Sequence, residues 1–292
     1  MKNYICHIIL FFVTLPLWSY SQNTPAAYAV SDEYTIWNLS VGDSAYVYAD
    51  NAYLRDYPGL NGNIIDSVAV GTTLIVHSPA YNSSKIKGFS APWQEVTYRK
   101  QGQTKRGFIW LGLLALGRQQ DSSGYQYLYG YERFFPSTES EPDYYSCAIK
   151  RLNPQQQLVA KFNFRSDYQG QLYTTCKILP SMGLDGLQQI FRVAFVGEAC
   201  GIPSYYHYAG WNGKNFVELP ARYSVSDAGV FYYDEQIQFP SEHQKEKNII
   251  YKNIEEGEVV DENADEPDYK IKKRQEKYRW DGQRFSQVQE NK

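Results

Sequence analysis

Apolar and aromatic side chains recur at every second position over long stretches of this chain. Runs of this kind are Tyr125-Tyr127-Tyr129-Tyr131, Leu158-Ala160-Phe162-Phe164 and Leu172-Thr174-Cys176-Ile178. A period of two puts the members of each run on one face of a β-strand. No glycine-rich nucleotide-binding motif opens a helix, so an α/β nucleotide-binding architecture has no support. The sequence therefore predicts an all-β protein.

The N-terminus has the pattern of a secretory signal peptide, residues 1–21. Lys2 precedes an apolar run over residues 5–17, and Ser19 and Ser21 are small residues at the positions that signal peptidase prefers. We therefore expect a secreted or periplasmic protein. A retained membrane anchor is the less favoured alternative, because the run is shorter than the roughly 20 apolar residues of a membrane helix. Cys6 lies inside the run, so it does not mark a lipoprotein.

Charge and cysteine content limit the partners and the chemistry. The chain has 29 basic and 32 acidic residues, whereas nucleic-acid-binding proteins usually carry a basic face, so we expect no nucleic-acid partner. Cys147, Cys176 and Cys200 remain after signal cleavage, and none belongs to a CxxC motif. In an oxidising compartment two of them can pair, in any of three combinations, and inert buried thiols are the alternative.

Residues 44–117 carry motifs with a characteristic order and spacing. Ala52-Tyr53-Leu54-Arg55-Asp56-Tyr57-Pro58 is followed by Ile64-Ile65-Asp66-Ser67-Val68, Gly71-Thr72, Trp93-Gln94-Glu95-Val96 and Gly107-Phe108-Ile109-Trp110. This series resembles the bacterial SH3 (SH3b) family, and the resemblance implies a small SH3-like barrel. Residues 82–92 are longer than the usual loop of that family, so a ligand groove here is expected to be reshaped.

Chain length favours a second domain after this module. We predict an antiparallel β-rich domain of meanders or hairpins over residues 125–292. Residues 118–124 are polar and include Ser122, Ser123 and Gly124, which is typical of a linker.

The SH3b resemblance implies binding rather than catalysis. Such modules often accompany cell-wall enzymes, and fold alone does not fix function. The predicted ligand-binding residues are Tyr53, Tyr57, Trp93 and Trp110, which as aromatic side chains suit a groove for an extended peptide. Packing in the barrel core is the alternative for these residues, and it is favoured for Trp93. The expected partners are peptidoglycan or an envelope protein.

Two nearly identical hexapeptides occur in the second half of the chain, WNGKNF at residues 211–216 and WDGQRF at residues 280–285. Their central Asn-Gly and Asp-Gly pairs predict two-residue hairpin turns with positive φ. We interpret the hexapeptides as equivalent hairpins of two similar β units. Carbohydrate stacking on Trp211 and Trp280 is the less favoured alternative.

The sequence carries no complete motif for catalysis or metal binding of the EF-hand, GxSxG or HExxH type. Residues 255–268 are acidic, but Glu266 and Lys272 stand where a calcium-binding EF-hand requires Gly and Glu, so a solvated loop is predicted. GxSxG and HExxH are absent, and we predict His207 to be a packed residue. The sequence thus predicts a non-catalytic exported binding or structural protein without cofactor. A glycan hydrolase with an SH3b targeting module and an exported inhibitor or immunity protein are the alternatives.

Overall fold

The computed structural model describes residues 36–167, 170–171, 173–197, 200–260 and 268–289. The predicted signal peptide lies outside these residues, as do residues 261–267, half of the predicted acidic loop. Residues 255–259 of that loop instead belong to the strand Ile249–Val259, which corrects the prediction there. Three antiparallel sheets account for 62% strand with almost no helix, which confirms the all-β prediction. No helix in these ranges has the length and apolarity of a membrane span.

Sheet 1 contains the first seven strands in the order β1-β4-β6-β7-β2-β3, with β5 paired to β6. A short 3-10 helix, Leu111–Leu113, follows it. In the described residues β1 and β3 end the sheet on either side, and no pairing closes it into a barrel. The strands are β1 (Ser44–Tyr46), β2 (Asn51–Arg55), β3 (Ile64–Ala69), β4 (Thr73–Val76), β5 (Tyr81–Ile86), β6 (Phe89–Lys100) and β7 (Gln103–Trp110).

Sheet 2 has four strands in the order β11-β10-β9-β8. They are β8 (Gly117–Gln120), β9 (Gln126–Phe135), β10 (Tyr144–Leu152) and β11 (Leu158–Asp167). Three of the seven residues in the predicted linker, 118–120, therefore belong to a strand paired with β9.

Sheet 3 is a meander of eight strands, each hydrogen-bonded to the next along the chain. A four-residue helix, α1 (Pro240–His243), separates its fifth and sixth strands. The strands are β12 (Tyr173–Pro180), β13 (Gln189–Val196), β14 (Ser204–Trp211), β15 (Phe216–Asp227), β16 (Phe231–Gln238), β17 (Ile249–Val259), β18 (Tyr269–Trp280) and β19 (Phe285–Val288).

One aromatic chain connects the three sheets. The ring of Phe89 in sheet 1 lies 5.7 Å from that of Tyr131 in sheet 2, in a T-shaped arrangement. Tyr131 in turn stacks on Phe195 of sheet 3 at 6.0 Å. All three residues are buried in a single hydrophobic cluster. Such ring pairs add to the free energy gained by burying the rings, so the chain joins the sheets into one packed unit.

A second contact fixes sheet 1 on sheet 2. Gly130, in the middle of β9, lies under the ring of Tyr48, and a Cβ at this position would be 2.9 Å from two ring atoms. The Tyr48 hydroxyl donates to Glu132 at 2.5 Å. Buried Lys150 donates to the Tyr48 carbonyl at 2.9 Å and to Asp50 at 2.7 Å. A side chain larger than hydrogen at residue 130 would have to displace the Tyr48 ring.

Both hexapeptides form hairpins, in one sheet and with the same geometry. Trp211 pairs with Phe216, and Trp280 pairs with Phe285, so four residues lie between the strands instead of the predicted two. The side chains of Asn212 and Asp281 accept hydrogen bonds from the turn amides, a role that the prediction missed. Of the predicted turn pairs, only Gly213 and Gly282 have positive φ.

The tryptophans of these hairpins are core residues. Trp211 is 5% exposed and Trp280 is 2% exposed, and the Trp280 indole donates to the Asp185 carbonyl at 2.7 Å. Trp280 belongs to a second hydrophobic cluster, which includes Ile190, Tyr208 and Ile250 and is separate from that of Phe89, Tyr131 and Phe195. The architectural interpretation of the hexapeptides therefore fits this burial, and the two indoles offer no stacking surface to a sugar.

The three cysteines are free thiols. Burial raises the pKa of Cys147 well above its ordinary value, and that of Cys176 to about 12. Since the thiolate is the reactive form, both are inert at neutral pH.

Protonation of His207 controls part of the stability. Its ring lies 4.6 Å from Phe164, its Nε2 has no partner in the described residues, and burial lowers its pKa to about 4. The unfolded residue has a pKa of about 6.5, so the unfolded chain binds more protons between these values and stability is lost as the pH falls through them.

We expect the wild-type protein to be about 2 kcal/mol less stable to urea at pH 5 than at pH 7 through His207 alone. His207→Gln should remove this part of the pH dependence while leaving unfolding cooperative. An unchanged slope of stability against pH in the variant would show that His207 is not the group responsible.

Candidate functional site

The β2–β3 hairpin of sheet 1 presents apolar side chains to solvent. Ala52 and Leu54 of β2 point into the core and are fully buried, whereas Tyr53 between them is 49% exposed. This alternation is what period-two patterning predicts for a half-buried strand. Tyr57 follows in the connecting loop, 42% exposed. The two predicted tyrosines therefore lie on one hairpin and are accessible.

Three further apolar side chains of this hairpin are also exposed, each by about half: Leu60, Ile64 and Ile65. We call these five side chains the hairpin patch: Tyr53, Tyr57, Leu60, Ile64 and Ile65. Single exposed apolar residues are common, but a concentration of large ones within 13 positions is typical of an interaction surface. The exposure of Leu60, Ile64 and Ile65 was not predicted from the sequence. Ile64 and Ile65 are consecutive at the start of a strand and so break the alternation, which indicates that they do not both lie in the core.

Hydrogen bonds hold the loop that carries Tyr57 and Leu60. Asp56 accepts from the backbone N–H of Asn63 at 2.7 Å and from its side-chain amide at 2.8 Å. The Asn63 side chain is the main reason that the pKa of Asp56 is lowered. Across the loop, the Asp56 N–H donates to the Asn63 carbonyl at 3.1 Å. Both ends of the loop are thereby fixed.

Arg55 supports the same loop from below. Its guanidinium donates to the carbonyls of Leu60 and Gly62 and lies 5.9 Å from the centre of the Trp93 ring. Asn82 adds a bond to the Pro58 carbonyl at 3.2 Å. A loop already ordered in the free protein loses less entropy on binding, so the hairpin patch is preorganised.

The edge strand β3, which carries Ile64 and Ile65 of the hairpin patch, also carries a cluster of charged side chains around Asp66. Asp66 of β3 accepts from Lys105 at 3.0 Å and from Tyr98 at 2.9 Å, and it is paired with Lys100. Bonds from Lys100 and from the Ser67 N–H hold its pKa far below the ordinary value. Lysines beside an edge strand discourage uncontrolled strand pairing, so the hairpin is protected against aggregation at this end.

The other two predicted site residues, Trp93 and Trp110, do not reach the surface. Trp93 is 2% exposed and Trp110 is fully buried. The Trp93 indole donates to the Ser84 hydroxyl at 2.9 Å, and the Trp110 indole donates to the Ala91 carbonyl at 2.8 Å. This burial agrees with the core packing favoured for Trp93 and corrects the groove role predicted for Trp110, because both rings and both N–H groups are used inside the protein.

The stretch that departs from the SH3b pattern, residues 82–92, explains this burial. It forms most of a hairpin between β5 and β6, with Lys87 and Gly88 at positive φ in a two-residue turn. Its tip docks on sheet 2, where the Phe134 N–H donates to the Lys87 carbonyl at 3.0 Å. A Cβ at Gly88 would lie 2.5 Å from the Phe134 carbonyl oxygen, so only glycine allows this approach.

Seven carboxyl groups of the described residues have a shifted pKa. Each of these groups has its pKa lowered, through partners such as Lys100 for Asp66 and Lys150 for Asp50. A glycosidase needs one carboxyl with a raised pKa as its general acid. Within the described residues, no group of three or more His, Cys, Asp or Glu side chains is placed so that it could bind a metal ion.

Comparison with known proteins gave no match to a family model, to a curated protein or to a solved structure.

Alanine substitutions of Trp93 and Tyr53 should distinguish a buried aromatic residue from an exposed one. Trp93→Ala should lower the free energy of unfolding by about 3–5 kcal/mol, because it leaves a cavity under Arg55. Tyr53→Ala should change it by less than about 1 kcal/mol, as is usual for exposed positions. Urea unfolding followed by circular dichroism measures both, and equal losses would show that Tyr53 is also a packing residue.

Proposed function

We propose that this protein is an exported, non-catalytic binding protein that engages a component of the bacterial cell envelope through the hairpin patch. Residues 44–117 would be an SH3b-like module, and peptidoglycan would be its first target. The observation that carries the proposal is the patch itself, in which five large apolar side chains are held on a hydrogen-bonded hairpin and remain accessible.

The SH3-like interpretation of residues 44–117 rests on small strands around a compact core. Short antiparallel strands enclose fully buried residues, among them Val47, Leu54, Leu74 and Ile109. Ile75 and Val76 of β4 pair with β6, and residues 93–100 of β6 pair with β7. An isolated Val47–Leu114 bridge brings the start of the module close to its end.

The remaining strands would act as a rigid support for this module. Phe89 contacts Tyr131 and Tyr145 of sheet 2, at 5.7 and 5.6 Å. Lys150 of sheet 2 binds Asp50, one residue before β2. These contacts would fix the orientation of the hairpin patch relative to residues 125–292. Export fits the N-terminal sequence, which predicts signal cleavage after residue 21.

The proposal is tested by co-sedimentation of the protein with intact peptidoglycan sacculi, with release of soluble fragments followed in the same tube. We expect binding without release. The variant Tyr53→Ala/Tyr57→Ala should bind at least about tenfold more weakly, since exposed aromatic anchors supply much of the energy of an interface. Its melting temperature should stay close to that of the wild type.

Tyr173→Ala is the matched control, because Tyr173 is a similarly exposed tyrosine on sheet 3. It should sediment like the wild type. Equal binding by the double variant would exclude the hairpin patch, and release of fragments would replace the binding function by hydrolysis.

A further inference from the structure

A groove of about 630 Å³ runs across β16, β17 and β18, on a different sheet from the hairpin patch. Strand register arranges the side chains around it in three rows that cross the strands. The first row is aromatic and apolar, the second is charged and the third is made of amides. The rows are Tyr232-Gly257-Ile271, Asp234-Glu255-Lys273 and Gln236-Asn253-Gln275.

Tyr232 forms a flat platform at one side of the groove. Its ring lies over Gly257 of the neighbouring strand, where a Cβ would be 2.3 Å from a ring carbon. One face of the ring therefore rests on the sheet backbone. The rings of Tyr232 and Tyr269 form a T-shaped pair with centroids 5.4 Å apart, and the Tyr232 hydroxyl donates to Glu255 at 2.7 Å. These contacts hold the Tyr232 ring in place over Gly257.

The charged row is internally balanced. Glu255 pairs with Lys273 at 2.7 Å, and bonds from Lys273 and Tyr232 lower the pKa of Glu255. Asp234 pairs with Arg222 at 3.1 Å. With each carboxylate matched by a cation, the row offers hydrogen-bond acceptors and donors without excess charge. A phosphate or another multiply charged anion would find no cluster of uncompensated cations here.

The amide row adds donors and acceptors beside these charges. Gln275 donates to the Asn253 side-chain oxygen at 2.7 Å, and Gln236 donates to Asp234 at 3.0 Å. Each of these bonds uses one end of an amide. The Asn253 amide nitrogen can therefore still donate hydrogen bonds, and the side-chain oxygens of Gln236 and Gln275 can still accept them. Within the described residues no other partner occupies these three groups.

We propose that this groove binds an oligosaccharide of neutral, equatorially substituted pyranose rings. A pyranose has an apolar C–H face, which matches the partly buried Tyr232 ring that lines the groove, and hydroxyls around its rim, which match the charged and amide rows. Ligand sites of this kind combine one apolar surface with a few oriented polar groups. The inference does not rest on the hairpin patch, because the two surfaces share no residue.

Titration of the ¹⁵N-labelled protein with cellotetraose and chitotetraose, followed by NMR, tests the proposal. The two probes differ in the group at C2, a hydroxyl in one and an acetamido group in the other. We expect at least one to bind with Kd on the order of 1 mM or tighter, shifting the amides of Tyr232, Asn253 and Gln275. No shift with either probe at several times that concentration would overturn the proposal.

Variants locate the site. Tyr232→Ala and Asn253→Ala should each weaken saccharide binding at least about fivefold, while Tyr232→Phe, which keeps the platform, should stay close to wild type. Asn253→Ala keeps the test valid if Tyr232→Ala fails to fold, since Asn253 is only partly buried. The groove would be excluded as the saccharide site if binding stayed at the wild-type level in Asn253→Ala and in Tyr232→Ala, where the latter folds.

Tyr53→Ala distinguishes this proposal from the envelope-binding one. It should leave saccharide binding unchanged and weaken only sedimentation with sacculi. Loss of saccharide binding in Tyr53→Ala would place the sugar on the hairpin patch and contradict the groove.

Discussion

The ring of Tyr131 is the contact on which the arrangement of the three sheets depends. It meets Phe89 of sheet 1 at 5.7 Å, Tyr145 of its own sheet at 4.1 Å and Phe195 of sheet 3 at 6.0 Å. Rings in such stacked and T-shaped pairs bury large areas in defined orientations. Because one side chain takes part in all these contacts, neither outer sheet can shift without disturbing the other.

This arrangement decides which aromatic residues remain free for a partner. The β5–β6 hairpin extends from sheet 1 to sheet 2, and Phe89 at the start of β6 joins the aromatic chain. In doing so the hairpin covers Trp93 and Trp110 and binds their indole N–H groups through Ser84 and Ala91. Tyr53 and Tyr57 are not covered by the β5–β6 hairpin and remain exposed. The same packing that stabilises the protein thus leaves the β2–β3 hairpin as the accessible aromatic surface of sheet 1.

Local patterns in the sequence were sufficient for the strands but not for their burial. The alternation of Tyr127, Tyr129 and Tyr131 correctly predicted one buried face of β9. Its other face, with Leu128 and Gly130, is buried as well, because sheet 2 also packs against Tyr48 of sheet 1. Burial of both faces depends on contacts between distant parts of the chain, which a period of two cannot reveal.

The candidate site was predictable in part for the same reason. Tyr53 alternates with buried neighbours, so its exposure follows from the strand pattern. The positions of Trp93 and Trp110 could not be deduced, since they depend on where residues 82–92 pack. The pair Lys87-Gly88, followed by alternating Phe89, Ala91 and Trp93, is nevertheless a sequence signal for a hairpin there. The division into residues 44–117 and 125–292 stays a prediction.

Hydrogen–deuterium exchange of the wild type and of Tyr131→Ala tests most directly whether one aromatic chain unites the sheets. The substitution should destabilise the protein by about 3 kcal/mol or more, and strands β6 and β7 should then lose protection together with β13 and β14, by a similar factor of at least about 100. Loss of protection on one side only, with the other side unchanged, would show that the sheets open independently and would contradict this account.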